Sequence, residues 1–487
     1  MNGRIPIGGP PMIAMELKDR VRETIRTHNM TEKGDRIVSA VSGGPDSVCM
    51  THILNDLSSE VGFEIVLAHV NYHTRGEDSN REEELCVQIA GSLGLPIEVK
   101  SLPETELQLL NAGNFQTAAR RVRYDFFNKV AADYKANKIA VGHTSDDVVE
   151  TMLMHFIRGS GLAGLSGIRP TSGRIIRPLV ELSRQEIQDY LGEIGAQFRI
   201  DKSNLEPKYL RNRIRNELIP MIEAGYNPEF RSAILRTAHI AGITRDFVDR
   251  QVNETWERCV SFSRLGKVII EIGEYSAADR AVRFGLIRKA HGYLLAAADR
   301  PGKSLDLSIV EAADRLVAAE TGKREDLKNG IMAEKGSDQL VFFKGIDESF
   351  AESFEVPGVL RSTRAALEVT ADFAPAGRRI NADEHNWSVS LDASTVKSPL
   401  EVRSLVAGDR VRLLNSRGNR KLSDIFIDRK IPRSLRPEVP IVTSAGEIVW
   451  IIGLGISDHV KIVKETKQVL KLRAEPCVIK EEHEGVS

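Results

Sequence analysis

From residue 36 to residue 195, apolar segments of two kinds alternate, and that alternation leaves the chain very few folds. "RIVSAV" (36–41) gives way to a helix-period stretch at 45–57, "EIVLAHV" (64–70) to one at 79–93, and "IEVKSL" (97–102) to one at about 115–134. "KIAVGH" (138–143) precedes a helical pattern at about 145–158, and "RIIRPL" (174–179) precedes "SRQEIQDYLGEIG". Short apolar runs bounded by turn residues read as buried strands, and longer stretches of 3.6-residue period read as helices. Their alternation predicts an α/β domain on a doubly wound parallel sheet, whose ligands bind beyond the carboxyl ends of the strands.

The 487 residues exceed what one core organises, so more domains are expected. A tail and first helix (1–30) precede the α/β domain (31–222). A mainly helical middle domain (223–345) follows, with long amphipathic patterns such as "PEFRSAILRTAHIAGITRDFVDRQV". A linker or β region (346–398) then leads to a smaller β-rich C-terminal domain (399–475), where "LEVRSL" and "EIVWIIG" are separated by turn residues.

Apolar residues at 41% and charged residues at 28% fit a soluble globular protein. The longest apolar stretches, such as "GEIVWIIGLGI", are too short to span a bilayer, so no membrane partner is expected. "MNGRIPIGGPPMIAM" has no continuous apolar centre and reads as a frayed tail rather than a signal peptide. Cys49, Cys86, Cys259 and Cys477 form no C-x-x-C pair, which points to the cytoplasm. With a net charge of −1, any nucleic-acid binding must come from local patches.

The first strand ends in "SAVSGGPDSVCM" (39–50). Gly43 and Gly44 permit a tight turn, and Pro45 suits the first helical position, where its missing N–H costs little. Bare N–H groups of the turn and helix start, with the hydroxyls of Ser42 and Ser47, would cradle phosphate oxygens, and Asp46 could hold a magnesium ion. Spacing alone does not separate this from an ordinary Gly-Gly strand-to-helix turn, and the Gly-Lys-Ser/Thr ending of a Walker A loop is absent. The sequence S-G-G-x-D-S after a first strand resembles the pyrophosphatase loop of the N-type ATP pyrophosphatases, which cleave ATP between its α- and β-phosphates.

A second signal is "VGHTSDDVVETMLMHFIRGSGLAGLSGI" (141–168). On a helix Asp146, Asp147 and Glu150 share an arc of about 100°, with Val148, Val149, Met152, Leu153 and Phe156 opposite. Acids in a first turn also serve capping and the helix dipole. Their place at a second strand's carboxyl end, with His143, would put them in the crevice of the phosphate loop, able to bind magnesium or a cationic substrate.

This block resembles H-x-x-D-D-x-x-E-T followed by R-G-S-G-L-x-G-L of the tRNA(Ile)-lysidine synthetase family, matched at Arg158, Gly159, Ser160, Gly161, Leu162, Gly164 and Leu165. "AARRVRYDFF" (118–127) is similar to the family's A-R-x-x-R-Y helix, and "DKSNLEPKYLRNRIRNELIP" (201–220) to its D-x-S-N…R-N-x-I-R-x-x-L-x-P signature. Tyr72 in "AHVNYHTR" stands where a histidine is frequent, and Gln116 where a glutamate is frequent. The likeness is strong over about 35–222 and looser over about 400–462.

The resemblance implies a PP-loop, adenine nucleotide alpha hydrolase-like catalytic domain at 31–222 using ATP and Mg2+, with tRNA contacts from the later domains. In it ATP adenylates the C2 oxygen of the wobble cytidine of tRNA(Ile) with a CAU anticodon, releasing pyrophosphate. The amine of free L-lysine then displaces AMP to form lysidine, which pairs with A and so moves codon specificity from AUG to AUA. Ser42, Gly43, Gly44, Pro45, Asp46, Ser47, His69 and His143 would form the nucleotide site, with Asp46 also the metal ligand. Asp146, Asp147 and Glu150 would jointly contact lysine or metal, and Arg123 would stabilise phosphate charge. A lysine amine, with a pKa of about 10.4, arrives protonated, so acids suit both its recognition and its deprotonation.

For RNA, the helix "KYLRNRIRNELIPMI" places Leu210, Ile214, Leu218 and Met221 on a core stripe. Lys208, Arg211 and Arg215 then share one adjoining face, with Arg213 on the other flank. Residues 403–436 carry ten Lys/Arg against three acids and form the clearest basic patch, represented by Arg417, Arg420 and Lys421. Such residues would dock an RNA body through phosphates without reading sequence. A homodimer is left open. Two rival readings stand: a tRNA thiolase on the same fold, and a non-catalytic nucleotide- or RNA-binding protein.

Overall fold

The computed structural model describes residues 12–74, 76–103, 107, 115–199, 210–296, 305–345, 349–375 and 386–477. It divides into two compact units, Met1–Asp246 and Phe247–Ser487.

The first unit is built on a six-stranded sheet. Its strands are β1 Arg36–Ala40, β2 Glu64–Asn71, β3 Ile97–Ser101, β4 Lys138–Ala140, β5 Thr171–Ser172 and β6 Ile175–Ile176, in the order β3-β2-β1-β4-β6-β5. All pairings are parallel except β5 with β6. The chain steps outward from β1 through β2 to β3, then returns to β4 on the other side of β1. That reversal separates the loops leaving β1 and β4 and opens a crevice at their carboxyl ends, as the alternation predicts.

Both sheet faces are covered. The helices Met12–Thr27, Pro45–Val61 and Arg184–Ile194 pack on one face through Leu17, Val21, Val48, Ile53, Leu54, Ile187 and Leu191. The helix Phe115–Asp133 covers the other through Phe127, Val130 and Ala131, against Val38, Val66 and Ile139. Met12–Met15, read from sequence as tail, are already helical.

Two helical readings change in detail. On Ser145–Ile157 the residues Val148, Val149, Met152 and Leu153 are buried as expected, but Phe156 is 67% exposed. The helix beginning at Leu210 is α-helical to Arg213, a π-helix over Ile214–Leu218, and α-helical again over Ile219–Gly225. The Ile219 N–H bonds to the Ile214 carbonyl, an i→i+5 step, and this extra residue in the turn rotates the segment from Ile219 onward about the helix axis. Ile219 rather than Met221 therefore joins Ile214 in the core, and Leu210 of the expected stripe, ahead of the π-turn, is exposed as well.

The second unit contains the end of the long helix Phe230–Cys259, the helix Arg280–Ala296 and three larger antiparallel sheets. One runs Val260–Phe262, Val268–Glu271, Gln339–Lys344, Ile331–Lys335, Arg324–Asp326, so the middle region 223–345, expected to be mainly helical, also holds a five-stranded sheet. A second joins Ala351–Phe354 to Leu400–Arg403, Ile441–Ser444, Glu447–Ile451 and Gly455–Ile456. The third orders Gly358–Ser362, Leu367–Pro375, Gln468–Pro476 and Ser388–Asp392. Strands from 346–398 thus pair with strands from the C-terminal segment, over a core that includes Trp450.

Candidate active site

The loop after β1 is preformed. Gly43 has φ +77°, a left-handed conformation that suits glycine, and its carbonyl accepts from the Arg199 N–H at 2.9 Å. The Ser47 Oγ accepts the Ser42 N–H at 3.0 Å, lies 3.1 Å from the Ser42 Oγ and donates to the Gly44 carbonyl at 3.0 Å. Gly44 caps the helix with no side-chain acceptor and Pro45 follows it, so the first N–H groups of a 17-residue helix are left for an anion.

Asp46 lies in the first turn of that helix with its side chain 26% exposed. Its Oδ1 is nevertheless buried without a hydrogen-bond partner. Burial pushes its carboxyl up to about 6, against the pull of Arg184. An unpartnered carboxylate oxygen beside a phosphate cradle fits a hard divalent cation that shares itself between one carboxylate, phosphate oxygens and water. No group of three His, Cys, Asp or Glu among the described residues could hold an ion unaided.

The loop after β4 touches this one directly. A Cβ at Gly142 would lie 3.1 Å from the Asp46 carbonyl carbon and 3.2 Å from the Asp46 oxygen and the Ser47 nitrogen. Next to it His143 Nδ1 accepts from Arg177 Nε at 3.1 Å, which leaves the ring proton on Nε2. Burial, reinforced by Arg177 and opposed by Asp147, brings this imidazole down to about 4, so it is neutral near pH 7. His69, at the end of β2, is buried with Nδ1 2.9 Å from the Val41 carbonyl, and its Nε2 has no partner.

The helix Ser145–Ile157 delivers the acids, and four arginines meet them. Asp147 Oδ2 accepts from the Thr144 N–H and Oγ1 at 2.9 and 3.2 Å, completing a capping box. Its Oδ1 accepts from Arg184 and, at 2.8 Å, from Arg211. Glu150, fully buried, accepts on Oε1 from Arg184 at 2.8 Å and Arg215 at 2.6 Å, and on Oε2 from Arg211 at 2.7 Å and Arg215 at 3.0 Å. Asp146 accepts the Arg184 backbone N–H at 2.9 Å and a guanidinium N–H of Arg231. The Arg184 Nε stands 3.9 Å from Asp46, so one guanidinium reaches from the acid helix to the phosphate loop.

A carboxylate offers about four acceptor positions. Asp147 and Glu150 therefore have theirs filled, and an ammonium reaching either must replace a guanidinium donor. For Glu150 burial is the largest single influence and acts upward. The hydrogen bond from Arg215 and the charges of Arg184 and Arg211 outweigh it together and bring the carboxyl down to about 2.

The remaining sequence candidates lie around this centre or away from it. Arg123 is exposed beside Tyr72, its guanidinium carbon 6.0 Å from the ring centroid, and the Tyr72 hydroxyl donates to the Ala119 carbonyl at 2.8 Å. Tyr72 thus pins the helix carrying Arg123. Arg213 is 62% exposed, 3.6 Å from Glu217, and points away from the acids that hold Arg211 and Arg215. In the second unit Arg417, Arg420 and Lys421 are exposed around a short β-ribbon, with Arg420 2.6 Å from Asp428. The "DKSNLEPKY" part of the fourth sequence block, with Lys208, lies outside the described residues, as does the side chain of Gln116.

Sequence reasoning missed Arg177, Arg184 and Arg231. A signal existed for Arg184. It opens a helix behind the Ser183/Glu186 capping box, where the dipole disfavours a cation, so an arginine there needs nearby acids. Arg177 and Arg231 have no comparable local mark.

Residues 14–222 match the model of a PP-loop domain, and residues 400–473 match that of the TilS substrate C-terminal domain. The tRNA(Ile)-lysidine synthase of Clostridium tetani is 32% identical over 94% of this chain and 98% of its own length. That of Geobacter sulfurreducens is 34% identical over 93% and 96%. Among solved structures, the U34-tRNA thiolase NcsA of Methanococcus maripaludis with its [4Fe-4S] cluster aligns at a TM-score of 0.39, with 19% identity over 47% of this chain and 78% of that one.

Proposed function

Because this chain belongs to the tRNA(Ile)-lysidine synthase family, a family of PP-loop enzymes that use ATP to modify tRNA, we propose that it joins free L-lysine to C2 of the wobble cytidine of tRNA(Ile) with a CAU anticodon. The product is lysidine, which reads AUA instead of AUG. The observation that carries this reading is the contact of the two strand-end loops. The phosphate cradle at Ser42–Ser47 and the acids at Asp146–Glu150 share one crevice, joined at Gly142 and spanned by Arg184.

In this reading the first N–H groups of the helix Pro45–Val61, with Ser42 and Ser47, hold the phosphates of ATP. Asp46 would hold Mg2+, which when bound supplies charge neutralisation at those phosphates. His69 and neutral His143 border the nucleotide, and Arg123 contributes positive charge at the rim. C2 becomes reactive because its oxygen leaves as part of AMP, whose charge is spread over oxygens held by fixed donors. Asp146, Asp147 and Glu150 would jointly contact the lysine cation or the metal.

The exposed bases Arg213, Arg417, Arg420 and Lys421 would dock the tRNA body. The thiolase reading fares worse on chemistry. Cys49 and Cys86 are buried in the core, where desolvation raises the first thiol far above its usual value and the second to about 12, so neither is a ready nucleophile. The test is mass spectrometry of an isoleucine tRNA transcript after incubation with ATP and isotopically labelled lysine. One labelled lysine per tRNA is expected, and a thiolated or unchanged tRNA overturns the proposal.

A further inference from the structure

Glu150 and Asp147 have filled acceptor positions, yet the reaction needs acids open to an amine. Of the three guanidiniums on this pair, Arg184 is fixed on both sides. Its backbone N–H is bound by Asp146, and its helix is held by the Ser183/Glu186 box. Arg211 and Arg215 come from a different element, four residues apart across the start of the π-helix, so both reach the same carboxylates. Arg211 keeps 38% of its side chain exposed and Arg215 keeps 24%. Arg213, between them in sequence, faces outward at 62% exposure. One short segment thus presents arginines both to the buried acids and to the surface.

We propose that Arg211 and Arg215 form an exchangeable latch on the amino-acid pocket, released when the phosphates of the tRNA substrate compete for their guanidiniums. This rests on the reading of Asp147 and Glu150 as the lysine-binding acids. Guanidiniums bind carboxylate and phosphate through the same bidentate geometry, so transfer from one to the other conserves the type of contact. Withdrawal of Arg215 empties one position on each Glu150 oxygen, and withdrawal of Arg211 empties one on Glu150 and one on Asp147. An ammonium with three donors can then enter, while Arg184 holds the carboxylates in place. Lysine binding becomes conditional on RNA, and by linkage lysine strengthens RNA binding by the same factor.

Equilibrium dialysis of radiolabelled lysine against the full-length protein, without ATP so that no turnover occurs, tests this. Saturating isoleucine tRNA transcript is expected to tighten lysine binding by at least about fivefold, the lower end of usual coupling factors. In the R211A/R215A double variant lysine is expected to bind without tRNA at least as tightly as to the tRNA-loaded wild type, with a residual tRNA effect below about twofold, and R211A and R215A each give part of that change. R215K, which keeps the charge but loses the fork, is expected to lie between wild type and R215A and serves if R215A does not fold. A wild-type lysine affinity indifferent to tRNA overturns the latch. E150Q separates the two ideas, because lysine binding unaffected by E150Q overturns the acid assignment itself, whatever the tRNA effect.

Discussion

Glu150 is where the physical chemistry of the site is most concentrated. Its carboxyl is depressed from about 4.5 to about 2, so the folded state binds fewer protons than the unfolded one between those values. The stability this contributes is fully present above about pH 4.5 and is lost as pH falls towards 2. At about 1.4 kcal/mol per unit it is of the order of 3 kcal/mol. E150Q should therefore lower stability at pH 7 by a few kcal/mol, and the difference from wild type should shrink in urea titrations between pH 4.5 and pH 3. A constant difference across that range would assign the loss to packing. Gly142 offers a second residue-level test, since a methyl group there meets backbone at 3.1–3.2 Å on the phosphate loop. Gly142→Ala should raise the KM for ATP about tenfold or more while leaving lysine affinity within about twofold, measured by steady-state kinetics.

The π-helical turn in Ile214–Leu218 shows how far an element can be read from sequence and where reading stops. The helix itself was legible from its apolar spacing, but the phase was not. A π-turn is chosen by what it packs against, here the carboxylates that draw Arg211 and Arg215 to one side and the Val149–Leu153 surface that takes Ile214 and Ile219. Ile219→Ala should cost about 2–5 kcal/mol in denaturant unfolding, whereas Met221→Ala should cost less than about 0.5 kcal/mol. The opposite ranking would restore a regular helix. The helix Ser145–Ile157 was easier, because its N-terminus follows a strand and its acids follow a threonine cap. Capping and site chemistry turn out to divide the two oxygens of Asp147 between them. Arg231 escaped because an ion pair with Asp146, far away in the chain, leaves no periodicity behind.

For the whole molecule, the parallel sheet and its crevice follow from the order of strands and helices. The β-rich second unit was visible only as strand-like runs, because antiparallel partners such as Leu367–Pro375 and Gln468–Pro476 lie about a hundred residues apart. The basic residues at 403–436 do not act as one patch. Arg403 binds Asp409 at 2.8 Å with only 12% of its side chain exposed, while Arg417, Arg420 and Lys421 face solvent. Alanine at each of the three exposed positions should reduce the slope of log K against log salt for tRNA binding by about one, roughly equally for any tRNA. R403A should instead lower stability.

Phosphate activation and amine attack are assigned to one crevice with separable residues, and that assignment is open to a direct test. The decisive measurement is the mass of isoleucine tRNA after incubation of E150Q with ATP, Mg2+ and labelled lysine, run beside D46N. The expected result is tRNA carrying AMP but no lysine with E150Q, and unmodified tRNA with D46N. Lysine attached by E150Q at the wild-type rate would contradict it.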